Sequence, residues 1–206
     1  MAPPVIPPDA LLFLDYVGIA VFAVSGALVA AERRLDFVTF VFFAVVTGVG
    51  GGTIRDLLIG APVFWVNTNA TLLICIGAAV CVWFLPRRAV TDRAVLWFDA
   101  VGMVAYAVYG ASKALAFGVA PVPAFVMGVL TACAGGIIRD VIGSEKTILL
   151  RDELYITPAA LASGLFVIAV VADLPGPAAV AIAAIAGFVL RALAITRGLR
   201  LPAYSR

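Results

Sequence analysis

The sequence predicts an all-α polytopic membrane protein with seven transmembrane helices, built from two inverted three-helix repeats plus a seventh helix. Hydrophobic residues fill 64% of the 206 positions, and charged residues fill 13%, compared with about 25% in soluble domains. Apolar runs of about eighteen residues or more recur, each long enough to cross a hydrocarbon core of about 30 Å. In addition, the first half of the chain aligns with the second half at a fixed offset.

Seven apolar segments are expected to cross the membrane, and short polar breaks rich in proline, glycine or charge separate them. The segments lie at about 11–31, 37–55, 69–85, 95–115, 122–140, 154–172 and 177–195. Residues 1–10 lack the basic start of a secretory signal, and we expect them to form a proline-rich N-terminal tail.

The distribution of basic residues predicts the orientation, because cytoplasmic loops collect lysine and arginine. With the N-terminus outside, the cytoplasmic loops hold Arg33, Arg34, Arg87, Arg88, Arg93, Lys146 and Arg151. The end of the seventh segment and the cytoplasmic tail hold Arg191, Arg197, Arg200 and Arg206. The outer loops contain no lysine or arginine, so this orientation places the chain in a bacterial inner membrane as a multi-pass protein.

An internal repeat appears when the chain is shifted by 84 positions. The shift superposes the pairs Asp15 and Asp99, Gly18 and Gly102, Gly26 and Gly110, Thr47 and Thr131, Gly51 and Gly135, Gly52 and Gly136, Arg55 and Arg139, and Asp56 and Asp140. The predicted units are therefore 11–90 and 91–175, with 176–206 as the seventh helix and basic tail. Because three helices make an odd number of crossings, the second unit is inverted, an arrangement that commonly places a substrate or ion path between the units.

Two glycine-rich motifs occupy equivalent positions, GGGTIRD in the second segment and AGGIIRD in the fifth. We expect the helices to bend, thin or unwind there and to expose backbone carbonyls toward a buried or watery path. The predicted pore and kink residues are Thr47, Gly50, Gly51, Gly52, Thr131, Ala134, Gly135 and Gly136. In the alternative interpretation, the glycines only let neighbouring helices pack closely.

Charged residues inside the apolar segments are the second set of candidates. Asp15 lies where the second segment ends, so it is predicted to pair with Arg55, and Asp99 with Arg139 by symmetry. These pairs, with the adjacent Asp56 and Asp140, would act as charge clamps beside a path. Alternatively, each Arg-Asp dipeptide reaches its own membrane surface and neutralises itself there.

Lys113 is a separate candidate, because it lies inside the fourth segment, beyond easy reach of the cytoplasmic surface, and its repeat counterpart is Val29. A charge at that depth usually faces a bundle interior or a watery cavity. With Phe22, Ser25, Tyr106 and Tyr109, it is predicted to line or gate the path. The alternative role is that of an anchor near the outer interface.

Several classes of function receive no support. Histidine is absent, no nucleophile and base recur together, and the glycine motif lacks the lysine of a phosphate loop. We therefore expect no enzyme activity, no catalytic residues, no cofactor, no fixed metal and no nucleic-acid partner.

With these motifs in view, the chain resembles the prokaryotic trimeric intracellular cation (TRIC) channel family along nearly its whole length. The resemblance implies a homotrimer in membrane lipid, with a pore between the two repeats of each subunit. Potassium, in preference to sodium, would pass through it as a transient ion. A secondary transporter of a small zwitterion such as glycine remains the alternative, because inverted repeats and interrupted helices suit it equally well. A non-conducting scaffold is the third candidate.

Overall fold

The computed structural model describes residues 8–144 and 154–202, and within these ranges all the regular structure is helical. The prediction of an all-helical protein with seven helices is confirmed. The seven helices are α1 (Pro8–Glu32), α2 (Phe37–Leu58), α3 (Asn69–Trp83), α4 (Asp92–Ala116), α5 (Pro121–Ile142), α6 (Ile156–Val171) and α7 (Gly176–Arg197). A 3₁₀ turn at Arg87–Ala89 precedes α4. Residues 1–7, 145–153 and 203–206 lie outside the described residues. They include most of the predicted N-terminal tail, the predicted inner-loop residues Lys146 and Arg151, and the terminal Arg206.

Five of the described helices are long and apolar enough to cross a membrane: α1, α2, α4, α5 and α7. The third helix of each unit is shorter, with 15 residues in α3 and 16 in α6. At 1.5 Å per residue these two helices are only about 23 Å long. A proline at position 86, just beyond α3, explains why that helix ends before the predicted boundary.

Local signals set the helix starts. The Asp36 carboxylate accepts the Thr39 amide at 3.0 Å and caps α2, and hydrogen bonds from the Thr39 hydroxyl and amide lower the pKa of the Asp36 carboxyl. Thr91 caps α4 in the same way, through the Ala94 amide. Because α1 and α4 begin three residues before the predicted segments, Asp15 and Asp99 lie well inside their helices rather than at the ends.

The helix contacts of the two units correspond to each other. In the first unit α1, α2 and α3 all pack against one another, and α4, α5 and α6 do so in the second. Equivalent helices also meet across the centre, α1 against α4 and α2 against α5. Helix α7 packs on α4 and α6. The centre of the molecule is therefore a four-helix contact made by both units.

Reciprocal contacts join α1 and α4. A Cβ atom at Gly18 would lie 2.6 Å from the ring of Tyr106, and one at Gly102 would lie 2.9 Å from the ring of Phe22. The two rings pack with their centroids 5.4 Å apart. Position 18 contacts position 106 and position 22 contacts position 102, so the two helices run antiparallel. Gly18 and Gly102 are equivalent in the repeat, and each makes room for an aromatic ring of the other helix. A two-fold relationship between the units would produce contacts of this reciprocal kind.

Helices α2 and α5 meet through their glycines. A methyl group at Gly51 would overlap the carbonyl oxygen of Thr131, and one at Gly135 would lie 2.5 Å from the carbonyl oxygen of Thr47. Both helices continue as α-helix through the glycine motifs, so the expectation that they unwind there is wrong. The missing side chains let two backbones touch, and close packing accounts for the glycines in this structure.

Candidate functional site

A first charge cluster lies where α2 and α4 end and consists of Asp15, Arg55, Asp56 and Lys113. The Arg55 guanidinium donates to Asp56 Oδ1 through Nε at 2.8 Å, and its Nη2 lies 2.7 Å from the same oxygen. The Lys113 ammonium lies 2.9 Å from Oδ1 and 3.0 Å from Oδ2 of Asp56. The Phe64 amide completes the coordination of Asp56 at 3.0 Å. One carboxylate thus holds two cations and a backbone amide.

The predicted pair between Asp15 and Arg55 does not form. Asp15 Oδ1 and Arg55 Nη1 are both buried without a hydrogen-bond partner, although Arg55 lies within electrostatic reach of Asp15. The ring of Tyr109 lies over the Arg55 guanidinium with its centroid 5.0 Å away. The arginine therefore turns toward its neighbour Asp56, which also draws Lys113. The role of Asp15 as a clamp to Arg55 is corrected accordingly.

Two further expectations about this cluster change. Lys113 lies in the last turn of α4 rather than deep within the helix, and its side chain is 17% exposed. Arg55 and Asp56 are fully buried, so the idea that this dipeptide reaches the membrane surface is wrong for the first unit. The ring of Phe64 covers both cations, at 5.9 Å from Arg55 and 5.7 Å from Lys113.

A second charge cluster consists of Asp99, Arg139, Asp140 and Arg191. Arg139 Nη1 lies 2.9 Å from Asp99 Oδ1, which confirms the predicted pair between α4 and α5. Its Nε and Nη2 both lie 2.8 Å from Asp140 Oδ1. Arg139 also donates to the Ser25 hydroxyl on α1 and thereby links the two units. All four groups are buried, so this Arg-Asp dipeptide does not reach the surface either.

Arg191 was predicted at the cytoplasmic end of the seventh helix, but it is fully buried. Its guanidinium donates to the Leu154 carbonyl at 2.7 Å, lies 5.3 Å from the Tyr155 ring centroid and is within electrostatic reach of Asp99. The signal that would have found it is in the sequence, because Arg191 is the only charge inside the predicted segment 177–195. Tyr155 also contacts Gly136, whose missing side chain makes room for the tyrosine hydroxyl.

The two charge clusters lie at opposite ends of the bundle. Asp99 and Lys113 are 14 residues apart on α4, a separation of about 21 Å along that helix. Between the clusters lie the packed rings of Phe22, Tyr106 and Tyr109, of which Tyr106 and Tyr109 are stacked. The Tyr106 hydroxyl also donates to the Gly48 carbonyl at 3.4 Å.

The predicted hydroxyl groups lie inside this central packing. The Thr131 hydroxyl donates to the Met127 carbonyl of its own helix at 2.6 Å, and the Thr47 hydroxyl is buried against Gly26. Gly50 faces the Ile138 side chain and Gly52 faces the Phe64 ring, while Ala134 is half-buried. The region between the two clusters is therefore filled by packing contacts between the two units.

Among the described residues, no group of histidine, cysteine or acidic side chains is arranged to hold a metal ion. The described buried charges thus form two clusters, and the glycine-lined contact between α2 and α5 lies between them. These features define a duplicated, multi-pass helical membrane protein with a buried charge cluster at each end of its helix bundle.

Comparisons with known proteins agree with this description. The family model described as "Glycine transporter" matches the chain twice, over residues 12–87 and 96–171. The two matches are offset by the same distance as the internal repeat. A "UPF0126 membrane protein" of Vibrio cholerae is 42% identical over 76% of this chain, which spans 66%, a little under two thirds, of that relative. The "UPF0126 inner membrane protein YadS" of Escherichia coli K12 is 41% identical over 70% of this chain and 72% of its own length.

Solved structures give the same result. A crystal structure of a TRIC trimeric intracellular cation channel orthologue from Rhodobacter sphaeroides has a TM-score of 0.88 and 44% identity, covering 93% of this chain and all of that one. A second structure, described under conductance through TRIC cation channels, has a TM-score of 0.83 and 29% identity and covers 98% of each chain. The chain belongs to the TRIC-like family of membrane proteins, which the glycine-transporter and UPF0126 descriptions also denote. These neighbours are described as channels, in agreement with the expectation that the chain is not an enzyme.

Proposed function

We propose that the protein is a monovalent cation channel whose path runs between its two three-helix units. The observation that carries the proposal is the structural match to TRIC cation channels along nearly the whole chain, at 44% identity. The paired charge clusters support it, because ionisable groups buried in a membrane bundle usually mark an ion or substrate path.

The proposed path crosses the contact between α2 and α5. In this structure Gly51 and Gly135 touch the opposite backbone, so conduction requires the two helices to move apart at the glycines. Such a movement would free carbonyls at Gly50–Gly52 and 134–136, along with the Thr47 and Thr131 hydroxyls. These oxygens would replace part of the hydration shell of a cation, which costs less for potassium than for the more strongly hydrated sodium.

Aromatic side chains would gate this path. Phe22 and Tyr106 fill the space between α1 and α4, and Tyr109 extends the stack toward the first charge cluster. Their rings must shift when α2 and α5 separate, since the Tyr106 hydroxyl is tied to the Gly48 carbonyl of α2. Ser25, bonded to Arg139, couples α1 to the second charge cluster.

The charge clusters would control access to the two ends. In each cluster acidic side chains are paired with basic ones inside the protein. Lys113 is more exposed than its partner Asp56, and its positive charge repels cations at the first cluster. It would limit conductance and give a shallow voltage dependence, since one charge crossing the whole field is worth only about 2.3 kcal/mol per 100 mV.

The proposal includes an assembly and an orientation. The protein would be a homotrimer in the bacterial inner membrane, with one path in each subunit. Units 11–90 and 91–175 would be related by a two-fold axis in the membrane plane, as the reciprocal contacts of α1 with α4 favour. The N-terminus would lie outside and the arginine-rich loops and C-terminus in the cytoplasm.

A flux assay in liposomes tests the proposal. Protein reconstituted into potassium-loaded vesicles is expected to release potassium down its gradient when a proton carrier balances the charge, and to release sodium more slowly. Empty vesicles and vesicles with heat-denatured protein serve as controls. Folded protein that leaves both gradients intact would contradict the proposal.

A secondary transporter of glycine is the second candidate, and the description of the family model favours it. A zwitterion needs a cation for its carboxylate and an acid for its amine, and the first charge cluster offers Arg55 Nη1 and Asp15 Oδ1 without hydrogen-bond partners. Saturable counterflow of labelled glycine, without electrogenic potassium flux, would select this candidate over the channel.

A further inference from the structure

The connection between α2 and α3 brings the ring of Phe64 onto the first charge cluster. The ring centroid lies 5.7 Å from the Lys113 ammonium and 5.9 Å from the Arg55 guanidinium. Phe64 is half-buried, whereas Arg55 and Asp56 are fully buried. The ring therefore covers the cluster at the surface of the protein.

Gly52 leaves the space that this ring occupies. A Cβ atom at Gly52 would lie 2.6 Å from the Phe64 ring, and its three nearest contacts are all atoms of that ring. The second unit has a related arrangement, because Gly136, which is equivalent to Gly52, makes room for the hydroxyl of Tyr155 just before α6. In each unit, the last glycine of the motif thus accommodates an aromatic side chain from the connection that follows the same helix.

Phe64 also continues the aromatic series of the proposed path to the helix ends. The ring of Tyr109 stacks with that of Tyr106, with a centroid distance of 6.1 Å. Its centroid lies 5.0 Å from the Arg55 guanidinium, which is the group that Phe64 covers. A cation that passes Tyr109 toward this end of the bundle therefore meets Phe64 at the first cluster.

Two hydrogen bonds fix this connection to α2. The Phe64 amide donates to the Asp56 carboxylate at 3.0 Å, and the Trp65 indole donates to the Thr53 hydroxyl at 2.9 Å. Lys113, in contrast, belongs to α4. When α2 moves in the proposed opening, Phe64 moves with it relative to Lys113.

We infer that Phe64 is the entrance residue of the ion path at the first charge cluster, where it controls the access of water and cations. The inference rests on the proposed channel function. An apolar ring at a narrow entrance excludes water and hydrated ions. Because the ring is carried by α2, the separation of the helices at the glycines also draws it off the cluster. One moving helix thus opens both the centre and this end of the path.

The first measurement is the rate at which Lys113 reacts with a sulfonated amine-reactive ester in purified protein, followed by mass spectrometry. The sequence contains two lysines, so Lys146→Arg leaves Lys113 as the single lysine amine. In this background we expect Phe64→Ala to raise the reaction rate by about twofold or more, because water and reagent then reach the ammonium. Val66→Ala is the matched control, since it removes an exposed apolar side chain from the same connection and should retain the original rate.

The second measurement is the time-averaged single-channel current in symmetric potassium chloride. Phe64→Ala is expected to increase this current by about twofold or more, and Val66→Ala to leave it unchanged. Gly52→Ala keeps the phenyl ring but displaces it, because the new methyl group would overlap the ring. It should therefore change the reaction rate and the current in the same direction as Phe64→Ala.

A folded Phe64→Ala variant with the original reaction rate and current would overturn the inference while leaving the channel function intact. A faster reaction of Lys113 without a larger current would also overturn it. If Phe64→Ala does not fold, Gly52→Ala decides the case: a faster reaction with a larger current supports the inference, and unchanged values overturn it. A wild-type protein without current would instead contradict the channel function, and the role of Phe64 in ion entry with it.

Discussion

The ammonium of Lys113 lies 2.9 Å and 3.0 Å from the two carboxylate oxygens of Asp56 and so joins the end of α4 to the end of α2. Position 29 of α1, which is equivalent to Lys113 in the repeat, is a valine and so cannot make the corresponding ion pair with Asp140. Asp56 keeps its bonds from Arg55 and from the Phe64 amide if the lysine is removed. This contact can therefore break without exposing an unpaired carboxylate, as a moving or gating contact requires.

Replacing Lys113 with alanine should raise single-channel conductance. The substitution removes a positive charge from the first cluster, and we expect an increase of about twofold at low salt with a weaker voltage dependence. Recordings across a range of voltages measure both quantities.

The control for this prediction is Lys113→Arg, which keeps the charge and should retain wild-type conductance. If Lys113→Ala leaves both conductance and voltage dependence unchanged, Lys113 has no role in conduction.

Neutralising Asp99 should destabilise the protein more than neutralising Asp15, although the two positions are equivalent in the repeat. Asp99 is ion-paired with Arg139, and removing one partner of a buried pair costs about 3–5 kcal/mol. Asp15 makes no such pair, so we expect Asp15→Asn to cost about 1 kcal/mol. Thermal unfolding in detergent measures the order, and equal losses would show that Asp15 pairs with Arg55 in solution.

Alanine at Gly51 should weaken the contact between α2 and α5. The new methyl group would overlap the Thr131 carbonyl, which belongs to a helix backbone and cannot rotate away. We expect a loss of stability of about 1–3 kcal/mol, typical of an overpacked core.

Gly77 provides the matched control, because it also lies within a helix and a Cβ atom there would meet nothing within 4 Å. Gly77→Ala should be neutral, or stabilising by up to about 1 kcal/mol through helix propensity. A Gly51→Ala variant as stable as Gly77→Ala would mean that the helices do not touch at Gly51.

Cysteine labelling should reveal the orientation. In a background without Cys75, Cys81 and Cys133, all of which are free thiols, a cysteine placed at exposed Asn67 should react with an impermeant reagent in intact cells. One placed at exposed Arg34 should react only after the membrane is permeabilised. The opposite pattern would invert the proposed topology.

The repeat predicts the same pair in both units, Asp99 with Arg139 and Asp15 with Arg55, but only the pair of Asp99 with Arg139 forms. The contact between Lys113 and Asp56 breaks that symmetry and depends on how the ends of α2 and α4 are placed, which no sequence offset contains. Arg191 was missed for a related reason, since its proximity to α7's end favoured a surface position. Its burial follows from the packing of α7 on α4 and α6.

The glycine motifs show the same limit. Their equivalence in the two halves indicated a shared structural role, and the structure places both at the contact between units. Whether a glycine unwinds its helix or admits a neighbour depends on what lies opposite, which in this protein is the backbone of Thr47 or Thr131. The sequence does not show which backbone segment lies opposite each glycine.

Single-channel recording of purified protein in a planar bilayer tests the central claim most directly. With a potassium chloride gradient and then a sodium-for-potassium exchange, we predict discrete openings that reverse near the potassium equilibrium potential and shift when sodium replaces potassium. A silent bilayer, from protein shown to be folded and to have the mass of three 21.4 kDa chains, would contradict the claim.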